Sequence, residues 1–255
     1  MPSRSKLVLA AAAAAGIATS QLASAAPAPT AAAAQGGVSV TPASIDLTAR
    51  SGASATATVR NTTAGKLKVT VTPRPWRQAR SGAVSANRRR KLARVSVSDR
   101  SFSLAAGQSA TVRVRLRRVP AAGSLFGALD VVGKPAKRRP GVNVNYRLVG
   151  RLRFNPTTRR YKLAAGSAAV KRRKLTLLVR NKGNTVDPVT GSVRISGPGG
   201  GRSGTISGVS ILPNGLVRVP VASLSGLRKG SYSAAISLSQ GGRKRLATRK
   251  TFRIR

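Results

Sequence analysis

The sequence predicts an all-β protein made of two tandem immunoglobulin-like β-sandwiches behind an N-terminal signal peptide. Three observations carry that prediction. From residue 38 onward apolar and polar residues alternate with the period of a strand, with no helical period of useful length. Gly, Pro, Asn and Ser cluster at the breaks between the alternating runs. The triplet Val-Arg-Asn closes an apolar run at residues 59–61 and again at 179–181. About seven short strands in each unit of roughly 90–120 residues is the count of an immunoglobulin-like sandwich.

Residues 1–25 read as the signal peptide. Arg4 and Lys6 precede the apolar run 7–17, which is too short to span a bilayer, and Ala23-Ser24-Ala25 has the small-x-small form of a cleavage site. Residues 26–37 read as a flexible Ala/Pro linker. No later segment is apolar enough to be a transmembrane span, so the mature chain is expected to be exported, to a periplasm, a cell wall or the medium.

The first sandwich is assigned to residues 38–156. Its strands are 38–47, broken near Pro42; 55–61; 66–76, with Leu67, Val69 and Val71 on one face; 94–104; 109–118; 124–133; and a long seventh at 142–154. In 109–118, Val112, Val114 and Leu116 point in and Arg113, Arg115 and Arg117 point out. The run 124–133 is apolar on both faces and so reads as central. Residues 157–169 read as a linker and 170–255 as the second sandwich, with strands at 174–181, 188–197, 216–222, 227–238 and 245–255, and a short strand and a turn within 204–215. The turns "LAAG" (104–107) and "LPNG" (212–215) precede equivalent strands, and "GSLF" and "GSYS" open the next pair. These repeated landmarks favour two copies of one unit over a single larger barrel.

Composition limits function. The chain has 47 Lys and Arg against 4 acids, no His and no Cys, for a formal net charge of +43. Removing the leader leaves about +41. All four acids are Asp, at 46, 99, 130 and 187, scattered near strand ends and turns. Without His, Cys or Glu the usual general bases, thiol nucleophiles and soft metal ligands are missing, so the reading is non-enzymatic, with no cofactor and no metal site. The ordinary apolar share predicts a folded core built from Val, Leu, Ile and Ala, since aromatics are 3% of the chain.

The run "SFSLAAGQSATVRVRL…VPAAGSLFGALDVVG…VNVNYRLVGRLRFNP" resembles the first domain of the PapD-like, pilus-assembly periplasmic chaperones: a Phe-x-Leu-x-x-Gly turn, a strand carrying Arg, an apolar sixth strand and a basic-Leu-x-aromatic-x-Pro ending. "RNKGNTVDPVTGSV" and "LRKGSYSAAISL" resemble the second domain of that family, and related two-domain bacterial surface proteins share the layout. The resemblance spans roughly residues 38–254. It implies a chaperone or adaptor that binds an envelope or surface protein through the seventh strand of its first domain. It also implies two basic residues that hold the client's carboxylate. Arg151 matches one; the other is expected near Ala43 or Ser44, and neither is basic.

Two sets of site residues follow, each with a structural alternative. Tyr146, Leu148, Arg151, Leu152 and Phe154 are candidates for a client-strand edge, or the apolar members fill the core. Arg113, Arg115, Arg117, Arg147 and Arg153, in one outward row with Arg151, and the loop residues Arg88, Arg89 and Arg90 are candidates for contact with an anionic wall polymer, or form a solvated surface. Aromatics are too few, and no motif is present, for specific nucleic-acid binding. "GPGGGRSG" (197–204) lacks the Gly-Lys-Ser/Thr ending of a phosphate cradle and reads as a hairpin loop. Trp76 reads as a core-rim residue.

Overall fold

A computed structural model describes residues 36–137 and 140–255. The expected signal peptide, and residues 26–35 of the expected linker, lie outside the described residues. Every regular element described is a strand. The first ten are β1 (Val38–Thr41), β2 (Ser44–Thr48), β3 (Ser54–Asn61), β4 (Leu67–Gln78), β5 (Val84–Ala86), β6 (Val95–Val97), β7 (Ser101–Leu104), β8 (Ser109–Leu116), β9 (Leu125–Pro135) and β10 (Tyr146–Asn155). They form one sheet in the order β1-β3-β8-β6 and a second in the order β2-β10-β9-β4-β5, with β7 also on β4. Between the sheets, Val59, Val112, Val114 and Leu116 share a core with Val69, Val71, Leu129, Val131, Leu152 and Phe154. These are the inward positions of the period-2 pattern, packed as two faces of a sandwich.

The remaining strands are β11 (Leu163–Lys171), β12 (Lys174–Asn181), β13 (Val189–Ser196), β14 (Arg202–Val209), β15 (Leu216–Ser223), β16 (Gly230–Gln240) and β17 (Arg243–Ile254). They make a β11-β12-β15 sheet and a β14-β13-β16-β17 sheet over a separate core that includes Leu175, Leu177, Val179, Ile195, Val217, Val219, Tyr232, Ile236 and Leu238. The chain is thus two all-β sandwiches in tandem.

The repeated Val-Arg-Asn triplet has a common physical role. Asn61 and Asn181 are both fully buried. The Asn61 side-chain amide donates to the carbonyls of Gly65 (2.7 Å), Leu104 (3.1 Å) and Ala105 (3.0 Å), and its oxygen accepts from the Thr63 amide (2.9 Å). The Asn181 amide donates to Thr185 (2.7 Å) and Ile211 (2.7 Å), and its oxygen accepts from the Gly183 amide (2.8 Å). Each Asn therefore ties its own turn to the turn that leads into the neighbouring strand, β8 in one sandwich and β15 in the other. A buried amide must be satisfied, and here it replaces the backbone pairing that two turns cannot supply.

Three sequence expectations are corrected. The strand expected over 94–104 is two, β6 on β8 and β7 on β4, so the chain changes sheet at Ser98–Arg100. The basic segment 85–91 begins in β5, a strand paired with the extended end of β4. The expected linker 157–169 contributes most of β11, which pairs with β12 from Leu163 to Lys171. Its sequence, LAAGSAAVK, is too rich in small residues to show a clear alternation.

Candidate strand-pairing site

The site is set by where the first strand changes sheet. β1 pairs with β3, the chain crosses at Pro42 and Ala43, and β2 then runs parallel to β10. That pairing begins at Ser44 opposite Arg151 and ends at Thr48 opposite Asn155, with the Arg151 amide donating to the Ala43 carbonyl (2.8 Å). On its other side β10 pairs with β9 along nearly its whole length, from Tyr146 opposite Gly133 to Phe154 opposite Leu125. Residues 146–150 of β10 consequently have a strand on one side only, among the described residues. Half of their main-chain groups point to an open edge.

The side chains follow the same division. Phe154 and Leu152 are 0% exposed, and Leu148 and Tyr146 are half-buried at the border of the core. The alternation then continues beyond the strand into Val144 and Val142, which are 51% and 92% exposed. Val142, Val144, Tyr146, Leu148, Leu152 and Phe154 are thus one row, covered at its C-terminal end and bare at its N-terminal end. A groove of about 850 Å³ runs beside the bare end, lined on its far side by Lys66, Leu67, Lys68 and Pro135. Gly150 interrupts the row where the chain passes Ala43: a Cβ there would lie 3.4 Å from the Ala43 carbonyl oxygen.

Of the expected client-edge residues, Tyr146 and Leu148 lie at the open end, while Leu152 and Phe154 are core, because β2 and the facing sheet cover that half of β10. Sequence reasoning missed Val142 and Val144. The run 142–154 breaks its alternation once, at Val149 and Gly150, where the pairing with β2 begins, but nothing in it says which side of that break is left uncovered.

Arg151 is exposed, opposite Ser44 in register. The Ser44 hydroxyl donates to the Asp46 carboxylate (2.6 Å), and Asp46 also lies 3.8 Å from the Arg153 guanidinium. A client carboxylate at Arg151 would meet one cation, with an acid close by, so the two-cation clamp implied by the resemblance is incomplete here.

The outward arginines do not form one row. Arg113 and Arg115 lie on β8, with Arg117 just past it, while Arg147, Arg151 and Arg153 lie on β10 in the opposite sheet. Alternation places a residue outward but does not say from which sheet. Arg147 is held by a buried acid: its Nε and Nη2 donate to Asp130 at 2.7 and 2.6 Å, and Arg74 Nε donates to the same carboxylate at 2.5 Å. Asp130 is 1% exposed, so it is a buried charge compensated from two strands, β4 and β10. Arg74 also donates to the Arg88 carbonyl (2.5 Å), which fixes the start of the basic loop, while the Arg88, Arg89 and Arg90 side chains remain exposed. Among the described residues no three His, Cys, Asp or Glu side chains converge.

No family model and no curated protein matches this sequence. Solved structures do match in shape. One is a chain from the structure titled "Chaperone-tip adhesin complex is vital for synergistic activation of CFA/I fimbriae biogenesis", at 14% identity and a TM-score of 0.51, covering 84% of this chain and 97% of that one. The class 5 fimbriae chaperone CfaA matches at 16% identity and a TM-score of 0.49, covering 84% and 98%. The YadV chaperone matches at 13% and 0.46, covering 86% and 100%. At such identities the likeness is one of architecture, and the chain has the two-sandwich, immunoglobulin-like fold of the fimbrial chaperones.

Proposed function

We propose that this protein is an exported, non-enzymatic chaperone or adaptor that lends residues 142–150 as an extra strand to an incomplete β-sheet in another envelope or surface protein. The observation that carries the proposal is the row that runs from exposed Val142 and Val144 into half-buried Tyr146 and Leu148, alongside an unpaired edge of β10. An added strand gains main-chain hydrogen bonds from the edge and specificity from pockets for alternate side chains. Burying Val142 and Val144 in a client would contribute roughly 1.5 kcal/mol each. That is enough for two side chains to decide between partners, since 1.4 kcal/mol is about tenfold in affinity.

Exposed main chain and exposed valines on one edge are a hazard for a secreted protein unless something covers them. Lysines along the groove, Lys66 and Lys68, oppose self-association and favour a client with acidic residues beside its open groove.

The test is co-purification from envelope extract of the source organism with a high-salt wash, read together with amide hydrogen exchange. A single defined protein is expected to be retained, to protect the amides of residues 142–150, and to be lost from the Val142→Asp, Val144→Asp double variant with unchanged thermal unfolding. Retention by that variant, or capture that leaves those amides exchanging freely, would overturn the reading.

A further inference from the structure

The outer face of the β14-β13-β16-β17 sheet has a character of its own. Its register brings Ser203, Arg194, Ala235 and Arg249 into one row, and Thr205, Ser192, Ser237 and Ala247 into the next. Lys244, opposite Ser239, closes one end. The face therefore consists of hydroxyls, alanines and cations. A shallow depression of about 700 Å³ lies on it, with Arg194, Lys244 and Arg249 at its rim and Ser192, Ala235 and Ser237 on its floor. Small floor residues keep the centre low while long basic side chains stand around it. Arg194 and Arg249 flank Ala235 from the two adjacent strands, which sets their Cα atoms about 10 Å apart.

Nothing nearby neutralises these cations. Asp187 is the single acid between residues 170 and 255. It lies outside this sheet and is already held by the Tyr161 hydroxyl (2.7 Å) and by Arg159 (3.6 Å). Among the described residues Arg194, Lys244 and Arg249 make no ion pair. A concave cationic surface of this kind attracts and concentrates anions.

We propose that this depression binds a polyol phosphate polymer of the cell surface, through phosphates held by Arg194, Lys244 and Arg249 and polymer hydroxyls held by Ser192, Ser203 and Ser237. The chemistry favours this polymer over nucleic acid. None of the lining residues is aromatic, so bases have no platform on which to stack, and the serines offer partners to hydroxyl groups instead. The site is on the β14-β13-β16-β17 sheet and shares no residue with the β10 edge. It would anchor the protein to the envelope and leave that edge free.

The test uses the full chain and fluorescence anisotropy with a labelled synthetic glycerol phosphate oligomer, at low and physiological salt. The comparison probe is an oligodeoxythymidylate with the same number of phosphates. The triple variant Arg194→Ser, Lys244→Ser, Arg249→Ser is expected to weaken glycerol phosphate binding by about tenfold or more, and to flatten its salt dependence by up to about three phosphate contacts. The equally charged control Arg113→Ser, Arg115→Ser, Arg117→Ser is expected to change it less than about threefold. A second variant, Ala235→Glu, alters net charge by one only but places a carboxylate between Arg194 and Arg249. It is expected to weaken binding by about tenfold as well. Equal losses from the two triple variants would overturn the proposal and leave only overall charge. So would equal or tighter binding of the oligodeoxythymidylate.

Discussion

The two sandwiches end differently, and the difference sets where the apolar row of each last strand begins. In the second, β16 turns into β17 through Gly241 and Gly242, both at positive φ (61° and 75°), and the pairing starts at once with Gln240 opposite Arg243. Two glycines at positive φ make the tight hairpin whose twist matches the strands. β17 is then paired to its end, Ile254 opposite Gly230. In the first, the equivalent connection from β9 to β10 takes residues 136–145. The strand's apolar row starts within that connection, at Val142 and Val144, before any partner is reached. Turn length thus decides whether the last strand is paired from its first residue or preceded by unpaired apolar residues; the far side of β17, the edge strand of its sheet, has no strand partner among the described residues either.

The sharpest contrast lies within β10 itself. Phe154 is fully enclosed by both sheets, and Phe154→Ala is expected to cost about 3–5 kcal/mol. Trp76, the chain's single tryptophan, sits on β4 in the first sandwich, so urea unfolding followed by its fluorescence reads that sandwich directly. A fall of that size in the tryptophan transition, with tyrosine signals of the second sandwich unmoved, is the expected outcome. An equal fall in both would mean that the sandwiches unfold as one unit.

The matched asparagines give the next largest effect. Asn61→Ala leaves the carbonyls of Gly65, Leu104 and Ala105 without their donor, and Asn181→Ala does the same to Thr185 and Ile211. Each is expected to destabilise its own sandwich by about 2–3 kcal/mol, from buried groups left unpaired. Urea midpoints of the two variants check this. A loss confined to one variant would show that the repeat is one of sequence and not of energetics.

Much of this was readable before the structure. Alternation in 66–76 and 109–118 named the inward residues correctly, because a sheet with one buried face enforces period 2 on its sequence. The triplet at 59–61 and 179–181 marked the repeat because a buried asparagine has few substitutes. Other features left no local trace. The change of sheet at Ser98–Arg100 interrupts two short alternating runs that read as one strand. At the site, residues 142–154 showed which side chains share a face, but cover is a property of the neighbour. Where β2 begins is set by the crossing at Pro42 and Ala43, 100 positions earlier in the chain than Val142; Gly150 makes room for that crossing, but a lone glycine in a strand does not say why it is there.

Exchanging the two connections should make the comparison a causal one. Replacing Gly241 and Gly242 by the segment 136–145 is expected to free the start of β17, seen as faster amide exchange over 243–247, while the rest of β16 and β17 stays protected. Unchanged exchange would show that the packing of the second sandwich, and not its turn, holds the start of β17 on β16.

The smallest effect on stability is expected where the proposed function is concentrated. Val142 is 92% exposed and Val144 51%, so changing both to Asp removes little buried surface and should change the unfolding free energy by less than about 0.5 kcal/mol. The fully buried Val112 and Val114 also alternate along a strand, with inward side chains of the same kind. Asp in place of either would bury a charge without a partner and unfold the first sandwich. The same substitution is therefore silent or fatal according to cover alone. A pair of valines that can be charged without loss of fold is free for contact outside the sandwich, which the co-purification experiment reads. Urea unfolding of the Val142→Asp, Val144→Asp variant decides it, since a loss of 2 kcal/mol or more, roughly a core-scale effect, would place these two residues in the core of the free protein.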